Sequence, residues 1–143
     1  MYEHILIPTD GSEQAERAVD TGLDLAERFG SDVHVLYVVE TEATYILTVG
    51  LSDEEMEEYE EYGEEVVNEV VDRATARGLD ARGVVRKGKI SEQIAEYAEE
   101  NGLDHIVMGE RGRGSIEKYL GSTAEKLLRM APAPVTVVPS NGR

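Results

Sequence analysis

Between Gly109 and Thr123 the chain reads G-E-R-G-R-G-S-I-E-K-Y-L-G-S-T. This stretch follows a short apolar run, His105 to Met108, that reads as a strand. It leads into a helical run that opens at Ser122 or Thr123 and ends at Ala131. A glycine-rich turn between a strand and a helix N-terminus suits an anion, because glycines let the backbone come close and the free N–H groups of the first helical turn point outward. Arg111, Arg113 and Lys118 add positive charge in or beside the same turn. The chemistry this pattern offers is phosphate binding, which makes it a candidate nucleotide site.

Two other segments bear on that site. The first strand ends in Pro8-Thr9-Asp10-Gly11-Ser12. Asp10 is suited to face a ribose or a bound metal ion, and Asp-Gly-Ser is equally ordinary turn chemistry; the residues alone leave both open. A second basic segment, Arg86, Lys87 and Lys89, follows the third apolar run. In a parallel sheet all strands end on one edge, so the two basic segments are expected to share it.

Several familiar sites are excluded. Gly83 to Lys89 imitates the start of a P-loop, but Ile90 stands where a hydroxyl must hold magnesium. The run Gly112-Arg113-Gly114 lacks the third glycine of a dinucleotide fingerprint. Strand three ends in Val85-Arg86, without the aspartate of a receiver domain, and T-D-G-S-E-Q-A is not the phosphate loop of a flavodoxin. His4, His34 and His105 lie at or within strands with no metal-ligand spacing. There is no G-x-S-x-G turn, and with no cysteine there is neither thiol chemistry nor a disulfide.

The elements that must position these residues alternate along the chain. Strands are expected at His4–Thr9, Asp32–Val39, Ala81–Val85, His105–Met108 and Pro134–Val138. Their Ile, Val and Leu content suits buried parallel strands. Between the first two, Ala15, Ala18, Val19, Gly22, Leu25, Ala26 and Phe29 recur at helical spacing, with Ser12 as N-cap and Gly30 as stop. A second helix runs from Ser52 to Arg77, where Ser52-Asp-Glu-Glu55 fits a capping box. Its acidic run reads as a solvated face. A third helix covers Ile90 to Asn101, and a fourth Ser122 to Ala131. The stretch Glu40 to Leu51 has no clear period and is expected to be a mobile loop. The sum, βαβαβαβαβ, predicts one α/β domain over 1–143: a doubly wound five-stranded parallel sheet with helices on both faces, its ligand beyond the strands' carboxyl ends.

Thirty acidic residues stand against 14 basic ones, a net charge of −16. Such a surface repels nucleic acid and anionic membranes, so neither is an expected partner. It suits a halophilic-type, heavily solvated exterior in high salt. No apolar run approaches the roughly 20 residues that span a bilayer. The first residues carry no basic stretch or cleavage site, and cytoplasm is the expected location.

Taken together, I-L-I-P-T-D-G-S, K-G-K-I at the third helix, G-E-R-G-R-G-S-I-E-K-Y-L-G-S-T and P-V-T-V-V-P occur in the order and separation of the universal stress protein family, which the chain resembles over nearly its whole length. The resemblance implies strand order 3-2-1-4-5 and an adenine nucleotide, ATP, ADP or AMP, with Mg2+ accompanying ATP. By position, Gly109 and Gly112 would line the ribose and phosphate side. Gly121, Ser122 and Thr123 would bind phosphates. Pro8, Thr9 and Asp10 would border the adenosine, with Asp10 near the ribose or magnesium, and Val39 would contact adenine. Arg111 and Arg113 join this set on charge alone.

Between Gly112 and Gly121 stand eight residues where the family pattern has nine, and Glu110 places a carboxylate beside the phosphates. The expected function is a small stress-response regulator acting through its nucleotide-bound state or slow hydrolysis. No general base is evident for efficient ATPase chemistry. The alternative is a nucleotide-free dimeric interaction module of the same fold. A third reading, an adenosine-nucleotide α-hydrolase, lacks its pyrophosphate loop after strand one. A homodimer through the apolar edge strand (Val135, Val137, Val138) is expected, along with an unidentified regulatory protein partner.

Overall fold

In the computed structural model, which describes residues 2–41, 50, 52–110 and 121–140, the strands are β1 (His4–Pro8), β2 (Asp32–Glu40), β3 (Ala81–Gly88), β4 (His105–Gly109) and β5 (Val135–Val138). The helices are α1 (Glu13–Phe29), α2 (Asp53–Ala76), α3 (Ile90–Glu100) and α4 (Ser122–Met130). All strands pair in parallel in the order β3-β2-β1-β4-β5. The expected architecture is the one found. The expected loop at 40–51 lies almost wholly outside the described residues, except that Glu40 belongs to β2.

Local chemistry sets the boundaries. Ser12 caps α1 by accepting from the Ala15 N–H at 3.3 Å, and Gly30 ends it at φ 67°, a conformation that strains any residue with a Cβ. Ser52 and Glu55 form the reciprocal capping box of α2. β3 runs three residues beyond the expected Val85. Arg86, Lys87 and Gly88 pair with Val38, Val39 and Glu40 although none is apolar. Hydrophobic content marks where a strand is covered, not where its ladder of backbone bonds stops.

Two apolar layers flank the sheet. Val19, Leu23 and Ala26 of α1 and Val67, Val70 and Ala74 of α2 pack on Ile5, Ile7, Val33 and Val35. Ile94, Tyr97 and Ala98 of α3 and Ala124 and Leu127 of α4 pack on Leu6, Leu36 and Ile106 from the other side. Arg73 and Arg77 of α2 bridge to α1, the first to Glu16 and Asp20, the second to Asp24 and Glu27.

All three histidines are in strands. Burial holds His34 and His105 below the usual imidazole value, and their nitrogens meet the Tyr97 hydroxyl at 2.6 Å and the Thr136 hydroxyl at 2.8 Å. His4 is shifted up by its hydrogen bond to Asp32 at 2.7 Å. The signs oppose. His34 and His105 contribute stability above the unfolded value of 6.5 that is lost as pH falls from there through their lower folded values, whereas the His4 contribution is full below 6.5 and lost as pH rises through its folded value. Replacing His34 and His105 by Gln is therefore expected to flatten the acid side of the stability profile, and His4→Gln the side above neutrality. Urea midpoints across that range check both.

Candidate nucleotide cleft

At the carboxyl edge of the sheet, where β1 and β4 diverge toward opposite layers, lies a cleft of about 300 Å³. That is the small end of the range for small-molecule sites. Its floor is apolar: Leu36 and Val38 from β2, Met108 from β4, and Ile90 and Ile94 from α3. A flat ring fits such a surface. Its rim is polar, made by Thr9 and Asp10 after β1, Glu40 at the end of β2, Glu110 after β4, and Ser122 and Thr123 at the start of α4.

The turn after β1 is built to hold its shape. The Thr9 N–H donates to the Leu36 carbonyl at 2.9 Å, which ties β1 to β2 beyond their last paired residues. The Thr9 hydroxyl accepts from the Gly11 N–H at 3.2 Å, and Asp10 Oδ1 accepts from the Ser12 N–H at 2.9 Å. Asp10 thus shapes the turn and also lines the cleft. Gly11 sits at φ 77°, packed against α2 so closely that a Cβ would lie 2.7 Å from Val66 and 2.9 Å from the Tyr62 hydroxyl oxygen.

Opposite, α4 begins with its N-terminus on the cleft. Gly121 is its N-cap and supplies no side chain to the first turn, and no side-chain capping bond is made there. The N–H groups of that turn carry the positive end of the helix dipole, which favours an anion. The Gly121 N–H donates to the Glu110 carbonyl at 2.7 Å, so the two ends of segment 111–120 are pinned together. Glu110 is held in turn: its own N–H bonds Val138, and its carboxylate accepts from the Ser140 N–H at 3.3 Å.

The cleft gathers Pro8, Thr9, Asp10, Gly109, Gly121, Ser122 and Thr123, all expected from sequence. Arg111, Gly112 and Arg113 lie outside the described residues, as does the shortened Gly112–Gly121 spacing. Val39 is buried and is not among the residues that line the cleft, which its neighbours Val38 and Glu40 reach. Strand alternation makes the difference, since adjacent residues point to opposite faces. The second basic segment does end β3 at the sheet's carboxyl edge, as expected, but its side chains are engaged away from the cleft. Arg86 lies over the Tyr97 ring and pairs with Glu100 at 2.8 Å, Lys87 approaches Glu60 at 3.4 Å, Lys89 faces Glu92 at 3.9 Å, and none lines the cleft. Leu36, Val38, Glu40 and Ile94 were missed. The signal for the first three is their shared period-two face.

Among the described residues, no group of three or more His, Cys, Asp or Glu side chains is placed to hold a metal ion. Asp10 is the lining residue that would hold a magnesium ion together with ligand phosphates, where the ion would neutralise phosphate charge. No helix among the described residues is long and apolar enough to cross a membrane.

Comparison with known proteins agrees with this geometry. The sequence profile of the universal stress protein family matches residues 1–139. The universal stress protein MJ0531 of Methanocaldococcus jannaschii is 34% identical over 140 residues, covering 96% of this chain and 82% of its own. The structure of UspA from Lactobacillus plantarum superposes with a TM-score of 0.84 at 24% identity, over 96% of this chain and 97% of the other. That of the universal stress protein from Archaeoglobus fulgidus, solved in complex with dAMP, gives 0.72 at 21% identity, over 95% and 97%. At these identities the two structures speak for the fold.

Proposed function

The chain belongs to the universal stress protein family, and from that premise we propose that it is a single-domain cytoplasmic stress-response regulator that binds an adenine nucleotide in the cleft between β1 and α4. The observation that carries this is the facing pair of devices at one sheet edge: an apolar floor for a base, and an α4 N-terminus whose capping residue is a glycine. The dAMP complex of the Archaeoglobus relative supports it. In this reading the base lies on Leu36, Val38 and Ile94, Asp10 meets the ribose or a magnesium ion held with ATP, and Ser122, Thr123 and Gly121 receive the phosphates. Arg111 and Arg113 supply charge. The protein acts through its bound state, with hydrolysis slow at most. A homodimer forms along β5, the sheet's edge strand, with Val135, Val137 and Val138 near the contact.

Calorimetric titration with AMP and ATP, with mass measured by sedimentation on the same samples, tests this. Gly121→Val is the matched variant. Gly121 has φ −63° and ψ 150°, which valine adopts freely, so the fold is kept while a branched side chain crowds the phosphate end. Native binding weakened by more than about tenfold in the variant (about 1.4 kcal/mol) is the expected result. A folded dimer that binds neither nucleotide would leave the nucleotide-free interaction module as the function.

A further inference from the structure

We propose that the cleft sorts adenine nucleotides by their charge and that ionic strength sets the sorting, so that AMP is preferred in dilute salt and ATP gains affinity as salt rises. This rests on the nucleotide reading above and adds to it the ligand's charge state and its regulation.

The near field comes first. Three carboxylates, Asp10, Glu40 and Glu110, stand on the rim from three different elements, and no lysine or arginine among the described residues lines the cleft. Among the described residues the rim thus offers a polyphosphate only hydroxyls, backbone N–H groups and the α4 dipole beside three carboxylates.

The far field is set by the whole chain. Its charge of −16 already counts every cation in the sequence. Elsewhere three of the described arginines are committed to helix carboxylates, Arg73 and Arg77 across α1 and α2 and Arg86 to Glu100. A ligand approaching the cleft therefore meets repulsion proportional to its own charge. Screening shortens the reach of that repulsion from about 10 Å at 0.1 M salt to about 3 Å at 1 M. For −16 spread over a molecule this size, Coulomb's law with that screening gives a gain of about threefold in affinity per unit of ligand charge across the interval. The sign is diagnostic. A site that attracts phosphate by surplus positive charge weakens in salt, and this one strengthens.

The test is calorimetry in magnesium-free buffer with adenosine, AMP and ATP, from about 1 M potassium chloride down to the lowest salt at which adenosine still binds, near about 0.1 M where the fold allows. Adenosine carries no charge and reports the cleft itself. The expected result is adenosine affinity nearly flat, AMP strengthened about tenfold and ATP about a hundredfold over that interval. Adenosine binding together with an ATP affinity that is flat or falls as salt rises overturns the inference and leaves the nucleotide reading intact. Failure of all three ligands to bind overturns the reading and the inference with it.

Discussion

Gly11→Ala is expected to lower unfolding stability by about 2–5 kcal/mol and to weaken nucleotide binding by more than about tenfold. Two costs add. At φ 77° an L-residue pays about 1–2 kcal/mol that glycine does not. The new methyl would also stand 2.7 Å from a Val66 methyl and 2.9 Å from the Tyr62 hydroxyl oxygen, and making room for it costs about 1–3 kcal/mol. Neither neighbour yields easily. Tyr62 stacks edge-on against Tyr37, and that ring fills the space where Gly63 has no side chain, 2.5 Å from where its Cβ would be. The strain would then move the turn instead, and with it Asp10. Urea unfolding measures the first effect and AMP titration the second. Adding Val66→Ala is expected to recover the packing share and leave the backbone share. A Gly11→Ala protein as stable as its parent and equally able to bind AMP would show that α2 does not brace this turn.

That bracing was not legible in the sequence, and the reason separates what local pattern encodes from what it does not. Order of elements, caps and stops are local. Ser12, Gly30, Ser52 and Glu55 act within three or four residues of their own position, and they do what their types suggest. The facing of a strand is another matter. Val35, Leu36, Val38 and Val39 are equally apolar, so nothing in β2 says which of them looks into the cleft. Which layer lies over which face decides that, and it comes from the crossovers. The same holds for charge. Arg86, Lys87 and Lys89 do fall at the end of a strand, as expected, but β3 is an edge strand two places from β1, and carboxylates of α2 and α3 reach those cations first. Glycines were read for their backbone freedom in turns. The close approaches at Gly63 and Gly11 need the partner rings, which come from other elements.

Asp10 is where a paired substitution separates the observed turn bond from the proposed ligand contact of one side chain. Asn keeps an oxygen able to accept from the Ser12 N–H, whereas Ala removes that bond along with the charge. Asp10→Ala is expected to weaken AMP binding by about 10- to 100-fold, the equivalent of losing one or two hydrogen bonds to a charged group. It should also cost about 1 kcal/mol of stability, as loss of a comparable capping bond does. Asp10→Asn is expected to stay near the parent in stability and within about threefold in AMP affinity, because a ribose hydroxyl can donate to the side-chain oxygen of either residue. Magnesium then distinguishes them further. If the ion bridges Asp10 and the phosphates, ATP affinity in the parent rises with Mg2+ and in Asp10→Asn does not, since a neutral amide is a far weaker ligand for a hard cation. Calorimetry with and without magnesium reads this directly. Equal AMP affinity in parent and Asp10→Ala would confine the residue to the turn and move the ribose elsewhere on the rim, with Glu40 the remaining carboxylate on the β2 side.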